Sequence, residues 1–364
     1  MTSQPIRVGI IGVHPDKGWA ALAHIPALQL AADFKLTAVS HRELDTAKAA
    51  ATKFGVSHAF DTTDQLVNDE EVDLVVICVK VPEHRKLIEA ALYAGKAVLC
   101  EWPLSTDLEG AMAIRDLARA KGLPAAIGLQ TRAAPAINFV RDLLVEGHVG
   151  RVISSSFIGS GIVWGNTLPQ SFAYTLDPAV GGSMVNVVVG HTLDAMLTAL
   201  RGKFADVSAR VASVRKTIRI DETGQDVAMT VADQVAVSGL LDTGVFVNAH
   251  FRGGMSSATN FHWEINGDAG DIVVTSPVGY TGMGGFRVQA AQHGRPLADV
   301  EIPEAYSLGL EAGLTQSMAL SYRRLASDLR DGTHLAPTFD DAVELHHLVD
   351  EIARTGKVAH RLVR

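Results

Sequence analysis

Arg7-Val8-Gly9-Ile10-Ile11-Gly12-Val13-His14-Pro15-Asp16-Lys17-Gly18-Trp19 decides how the rest of this 364-residue chain is read. Residues 7–11 form a short β-branched run, Gly12 ends it, and residues 19–32 carry apolar side chains at helical spacing. A strand, a glycine turn and a helix in that order open a dinucleotide-binding unit, where backbone N–H groups at the helix start approach a pyrophosphate. The fingerprint is irregular. Gly12 and Gly18 leave room for the approach, His14 replaces the middle glycine, and the turn is long. A glycine turn of this kind also serves plain packing, so the surrounding pattern has to carry the reading.

That pattern alternates. Residues 35–40, 72–79, 97–100 and 125–129 read as further strands, and 44–54, 83–94 and 108–121 as helices between them. Gly55, Gly95 and Gly122 stand just past three helices, where a left-handed residue ends a helix. The expected fold class is α/β: a Rossmann doubly wound parallel sheet over 1–128, then an α+β domain over 129–364 with a large, mostly antiparallel open sheet. In the second domain the strand-like segments are 151–163, 207–218, 227–241, 245–251, 260–265 and 271–275. Helices are expected there at 135–146, 191–200, 315–330 and 340–355.

Composition narrows the function classes. Apolar residues make up 47% and charged residues 20%, as in ordinary globular proteins. Lys+Arg 32 against Asp+Glu 40 gives a formal charge of −8, so no broad basic surface exists for direct nucleic-acid binding. Cys78 and Cys100 lie in apolar strands and read as reduced core thiols. The N-terminus lacks a basic flank and a signal-peptide core, and Asp, Arg, Gly or His interrupts every apolar stretch before about 20 residues. A cytoplasmic protein without a membrane partner is expected.

The end of the second strand reads Ser40-His41-Arg42. A carboxylate there would accept hydrogen bonds from the ribose of NAD, whereas an arginine suits a 2′-phosphate. NADP is therefore expected over NAD, which stays possible; the competing reading makes Arg42 a solvated residue at a helix start.

Several segments resemble one family. Val8 to Gly12, Ala23-His24-Ile25-Pro26-Ala27-Leu28, the run from Ala90 through Glu101-Trp102-Pro103-Leu104, and Ile127-Gly128-Leu129-Gln130-Thr131-Arg132 are similar to the Gfo/Idh/MocA oxidoreductases. Glu146 to Val152, Gly190-His191-Thr192-Leu193-Asp194 and Glu264 to Gly270 continue the likeness in family order. The resemblance implies an NAD(P) domain, a substrate-carrying open sheet, homo-oligomers (dimer or tetramer) built through that sheet, and sugar-like substrates. It also implies a Glu-Lys-Pro lysine beside the nicotinamide and an Asp four residues before a His. Here Trp102 takes the lysine position and Val187 the Asp position, with Asn186 beside it. A narrower resemblance, through Lys17-Gly18-Trp19-Ala20, Glu101-Trp102-Pro103 and Gly190-His191, is to the Gal80-like branch, NADP binders that act as transcriptional repressors through an activator protein.

The chemistry of the departures is direct. Moving a hydride to or from a carbinol requires a partner for the hydroxyl proton, and an indole N–H only donates, so Trp102 can stack or hydrogen-bond but cannot be a base. His191 is the expected acid-base group, Asp194 its same-face companion one turn on, and Tyr174 a third catalytic candidate. Cofactor contacts are expected from Gly12, Val13, His14, Lys17, Gly18, Trp19, Ser40, His41, Arg42, Val79, His84, Glu101, Trp102 and Gln130. Substrate contacts are expected from Trp102, Arg132, Trp164, Asp177 and Asn186. His84 is alternatively a helix cap, and Tyr174, Asp177 and Trp164 are alternatively plain loop residues. Adjacent His346 and His347 near Glu344 point in different directions on a helix, so no metal is expected and the helix reads as solvated. The glycine-bearing stretches at 253–254 and 279–285 read as loops.

Three function classes follow: an NAD(P)-dependent oxidoreductase of sugars or polyols, a cofactor-bound regulator without turnover, and a lyase or glycosidase that oxidises transiently with a tightly held cofactor.

Overall fold

A computed structural model describes residues 4–279 and 285–356, which divide into two compact units. The first comprises 1–133 with 314–346, the second 134–313 with the C-terminal remainder.

In the first unit, β1 (Ile6–Ile11), β2 (Phe34–Ser40), β3 (His58–Phe60), β4 (Leu74–Ile77), β5 (Ala97–Glu101) and β6 (Ala125–Gly128) form one sheet in the order β3-β2-β1-β4-β5-β6. Every pairing is parallel. The order reverses beside β1, which is where open α/β sheets bind ligands at the carboxyl ends of their strands. β4 at the centre is apolar throughout, Leu74 to Ile77 being fully buried, because helices cover both faces. The covering helices are α1 (Ile25–Leu30), α2 (Leu44–Phe54), α3 (Thr63–Val67), α4 (His84–Tyr93) and α5 (Leu108–Lys121). α2 buries Ala47, Ala50 and Ala51 and stops at Gly55, φ 68°; α5 starts where Asp107 accepts the Gly110 N–H at 2.7 Å.

The sequence reading needs four changes here. β3 and α3 are too short for periodicity to reveal. The helix expected over 19–32 begins as a π-helical turn, Ala20–His24, before α1. The two C-terminal helices do not belong wholly to the second domain: residues 314–346 pack with the first unit, and Ile127 of β6 donates to the Pro337 carbonyl. His346 is buried, so that helix is not simply solvated.

The second unit contains α6 (Pro135–Val145), then β7 (Val152–Ser160), β8 (Thr167–Leu168), α7 (Gly190–Leu200), β9 (Phe204–Ala212), β10 (Thr217–Ile220), β11 (Asp226–Ala228), β12 (Gln234–Leu241), β13 (Phe246–Arg252), β14 (Phe261–Gly267), β15 (Gly270–Ser276), β16 (Arg287–Gln292) and β17 (Ala298–Asp299). Eight of these strands form a sheet in the order β17-β16-β15-β14-β7-β13-β12-β9, antiparallel except for β7 with β13. Its inner face carries Phe157, Phe251, Phe261 and Trp263, all essentially buried. The strand-like segments read as 207–218 and 227–241 each split in two, and β10 and β11 join β8 in a separate three-stranded sheet. One helical run, 178–200, is long and apolar enough to cross a bilayer, with mean hydropathy 1.3, contrary to the sequence expectation. Of its apolar window 72% is buried within the protein, so core packing accounts for its composition. The loop expected over 279–285 lies largely outside the described residues.

Candidate active site

Gly12 follows β1 with φ 96°, and a Cβ there would stand 2.4 Å from the Cys78 carbonyl oxygen, so only glycine fits. The N–H groups of Gly12 and Val13 both donate to the Ser40 carbonyl at 3.0 Å, tying the turn to β2. The accessible part of the turn is therefore 14–18, ending at Gly18, φ 89°, with open space beyond its Cα. Lys53 of α2 bridges to Asp16 at 2.9 Å and holds that carboxyl below its usual range. His14 Nδ1 accepts the Asp16 N–H at 3.1 Å, and His41 Nδ1 accepts the Glu43 N–H at 3.2 Å. Lys17 is exposed, as is Arg42, whose side chain is 88% accessible.

The ends of β4, β5 and β6 carry the second group of candidates. The Trp102–Pro103 bond is cis. Trp102 is only 5% exposed and its ring lies 4.5 Å, centroid to centroid, from that of His346, whose Nε2 accepts the Ser105 N–H. Its indole thus has a packing partner in its own unit. His84, expected among the cofactor contacts, is 1% exposed: Nδ1 is 2.9 Å from the Pro103 carbonyl and Nε2 3.1 Å from that of Val79. The ring lies between two main-chain carbonyls, and burial pushes its pKa down, so the neutral imidazole donates its one N–H to one of them; His84 packs between two loops instead of presenting a nitrogen to a ligand.

Glu101 belongs to a buried network that sequence reading missed. Tyr322 O–H donates to His24 Nδ1 at 2.8 Å, and His24 Nε2–H donates to Glu101 Oε1 at 3.0 Å. Gly128 closes over Glu101, since a Cβ there would meet Oε1 at 2.4 Å. The signal for this network was the His in Ala23-His24-Ile25, adjacent to apolar residues. Arg132, expected to touch substrate, instead pairs with Asp341 at 2.7 Å, and its carbonyl accepts from Arg324.

In the second unit a π-helical turn, Val185–Val189, leads into α7 and places Asn186 so that Nδ2 donates to the Gly181 carbonyl at 2.8 Å. His191 and Asp194 are each 5% exposed on α7. Tyr174 is half-buried, beside Gly182, and burial raises its phenol pKa. Asp177 is exposed and accepts the Ala179 N–H at 2.9 Å. Trp164 is 3% exposed and its Nε1–H donates to Thr175 Oγ1 at 3.1 Å, which ties its indole to the core beneath the loop. Tyr174, Gly181, Gly182 and Asn186 are brought together; Trp164 and Asp177 stand apart from them in role.

The first unit's residues fit a nicotinamide nucleotide. Buried polar atoms of native proteins are nearly always paired, yet Trp19 Nε1, Gln130 Oε1 and Thr131 Oγ1 have no partner among the described residues. A donor and an acceptor left over at the carboxyl edge of the sheet, beside a turn that only glycine can make, are what a polar dinucleotide would complete.

Comparison with known proteins agrees. Residues 6–129 match the Gfo/Idh/MocA model, described as an oxidoreductase family with an NAD-binding Rossmann fold, and residues 135–276 match the C-terminal domain of Gal80p. The galactose/lactose metabolism regulatory protein GAL80 of Saccharomyces cerevisiae is 30% identical over 295 residues, 76% of this chain and 68% of the regulator. Dehydrogenase aclE of Aspergillus oryzae is 28% identical, over 76% of this chain and 78% of its own. A dTDP-3,4-didehydro-2,6-dideoxy-α-D-glucose 3-reductase of Actinomadura kijaniata is 28% identical, over 97% and 96%. Among solved structures, a super-repressor mutant of S. cerevisiae Gal80p superposes with TM-score 0.88 at 24% identity, covering 97% of this chain and 96% of that one. Levoglucosan dehydrogenase in complex with NADH and levoglucosan superposes with TM-score 0.84 at 20% identity, covering 97% of each; both likenesses are of fold. The chain belongs to the Gfo/Idh/MocA family of NAD-binding oxidoreductases, in its Gal80-like branch.

Proposed function

We propose that the protein binds NADP and acts as an oxidoreductase on a CH–OH group of a sugar or related polyol. The observation that carries the reading is the Gly12 turn, locked between the Ser40 and Cys78 carbonyls at the switch point of the parallel sheet. Trp19 Nε1 would offer a donor and Gln130 Oε1 an acceptor to the nucleotide, which when bound would supply hydride-transfer chemistry. Trp102, whose indole N–H donates but accepts no proton, cannot be the base and serves as a wall backed by His346. His191 takes or returns the hydroxyl proton at a ring nitrogen, with Asp194 balancing its charge. Tyr174, kept protonated by burial, donates a hydrogen bond to a substrate oxygen. The sugar-type substrates in the names of a relative and a structural neighbour support the substrate class. We extend the proposal to a cytoplasmic dimer or tetramer through the outer face of the eight-stranded sheet, where Ile158, Leu240 and Phe246 are exposed.

The test is calorimetric titration with NADP and NAD, followed by a sugar and polyol panel read by reduced-nicotinamide absorbance. NADP binding and turnover with at least one substrate are expected, and His191→Ala should remove turnover while leaving nucleotide affinity within about twofold. Failure of both nucleotides to bind at millimolar concentration would overturn the reading. A second reading, a nucleotide-bound regulator without turnover, is favoured by the Gal80p-type domain and the buried indole at the lysine position. It predicts nucleotide binding, silence across the panel and a specific protein partner.

A further inference from the structure

We propose that His14 and His41, with Arg42, form the receptor for the 2′-phosphate of NADP; this rests on the nucleotide reading above and assigns the discrimination to two imidazoles. The loops after β1 and β2 lie side by side because those strands are parallel neighbours, and they bring the two rings edge to face with centroids 6.2 Å apart. Each ring is fixed by its own backbone. His14 Nδ1 accepts from the N–H two residues on, at Asp16, and His41 Nδ1 does the same from Glu43. An Nδ1 that accepts leaves the ring proton on Nε2, so both histidines present an N–H without needing a positive charge. Both are partly exposed, and neither Nε2 is hydrogen-bonded among the described residues.

The donor set identifies the ligand class. Two Nε2–H groups and the exposed Arg42 guanidinium are donors only. A ribose diol needs an acceptor as well as donors, whereas a phosphate monoester offers only acceptors and favours guanidinium and imidazole partners. The two carboxylates nearby are already engaged: Asp16 with Lys53 at 2.9 Å, and Glu43 with Thr46 at 3.1 Å and near Arg42 at 3.7 Å. Lys17, exposed on the same loop, adds positive charge without a fixed position.

Two substitutions separate donor from scaffold. Asparagine reproduces the Nδ1 acceptor through Oδ1 but reaches no further, while glutamine carries an amide N–H near the position of Nε2 and gives up the local acceptor. The measurement is calorimetric affinity of the full chain for NADP, NAD, adenosine 2′,5′-bisphosphate and 5′-AMP. NADP should bind more tightly than NAD, and the bisphosphate more tightly than 5′-AMP. His14→Asn and His41→Asn should each weaken both 2′-phosphorylated ligands about tenfold and leave NAD and 5′-AMP unchanged. His41→Gln should retain more of the preference than His41→Asn, the reverse of what a purely structural role would give. If wild-type protein prefers NADP but the asparagine variants keep that preference, the histidine assignment is overturned and the NADP reading stands. If NAD binds as tightly as NADP, and Glu43→Gln weakens NAD, the ribose is read by a carboxylate and both assignments fall. Should no nucleotide bind, the reading beneath the proposal fails first.

Discussion

The loops at the carboxyl edge of the six-stranded sheet and the loops that follow β7 are held in place by different means. In the first unit side chains do the holding. His24 spans Tyr322 and Glu101, His84 spans the carbonyls of Val79 and Pro103, and Arg132 is clamped by Asp341. In the loops after β7 the backbone does most of it, beside side-chain bonds such as that of Trp164 Nε1–H to Thr175. Ile162 and Trp164 take positive φ values of 65° and 61°, unusual for a β-branched and a bulky aromatic residue. The Gly161 N–H donates to the Arg252 carbonyl at 2.6 Å and the Gly254 N–H to Val163 at 2.8 Å, so the two loops are stitched chain to chain. Polar side-chain clamps leave buried groups whose loss is costly, whereas backbone stitching stores its cost in conformation and close approach. Substitution should therefore find the first unit sensitive to polarity and the second to volume.

The largest effect is expected at His24. Replacing it with leucine keeps the bulk but strands a buried phenol and a carboxylate that is 14% exposed. A loss of about 3–4 kcal/mol is expected from urea denaturation of the first unit. A loss below about 1 kcal/mol would mean that the His24 network does not hold the loops of the first unit, and the contrast fails.

Gly253→Ala probes the other side of the contrast. An added Cβ would stand 2.0 Å from the Trp164 carbonyl oxygen, a main-chain atom that cannot swing aside. About 3 kcal/mol of destabilisation is expected, read as a lower thermal midpoint of the second unit. Ile162→Gly, by contrast, should fall within about 1 kcal/mol of wild type, because relief of the positive φ offsets the lost side chain. An equal cost at both positions would show that the loop is held by the Ile162 side chain and not by its backbone path.

The same contrast explains what the sequence made legible. Apolar runs and glycine stops mark β1, β2, α2 and α5 because their burial and their caps are local properties, and the alternation of strand and helix is enough to place the sheet. The roles of His84, Arg132 and His346 were not local. Each depends on a partner far along the chain, Pro103, Asp341 and Trp102 respectively, and nothing in a single sequence says that a polar residue will be spent on a distant carbonyl or ring. The bond from the Trp164 indole N–H to Thr175 was illegible for a related reason, since a loop-rich stretch does not say which of its aromatic residues turns inward. The glycine turn was legible in the order strand, turn, helix and in the alternation around it, whereas His191 was singled out by family resemblance and not by periodicity.

The smallest effect sits at the clamp on Arg132. Burial pushes the Asp341 carboxyl up, but the neighbouring Arg132 guanidinium and the Thr338 N–H and hydroxyl more than offset this and hold its pKa below the usual carboxylate value. A carboxyl whose folded pKa is depressed adds stability above its unfolded pKa, about 3.9, and that contribution disappears as pH falls through the lower folded value. Asp341→Asn should therefore be less stable than wild type by about 1 kcal/mol at pH 7, a figure reduced for the side chain's 31% exposure. The gap should close as pH drops below about 4 and be absent once wild type is itself protonated. Urea midpoints of both proteins at a series of pH values between 2.5 and 7 measure it. A gap that stays constant with pH would mean that ionisation of Asp341 contributes nothing to stability, and the charged clamp on Arg132 would then not be what holds the end of β6.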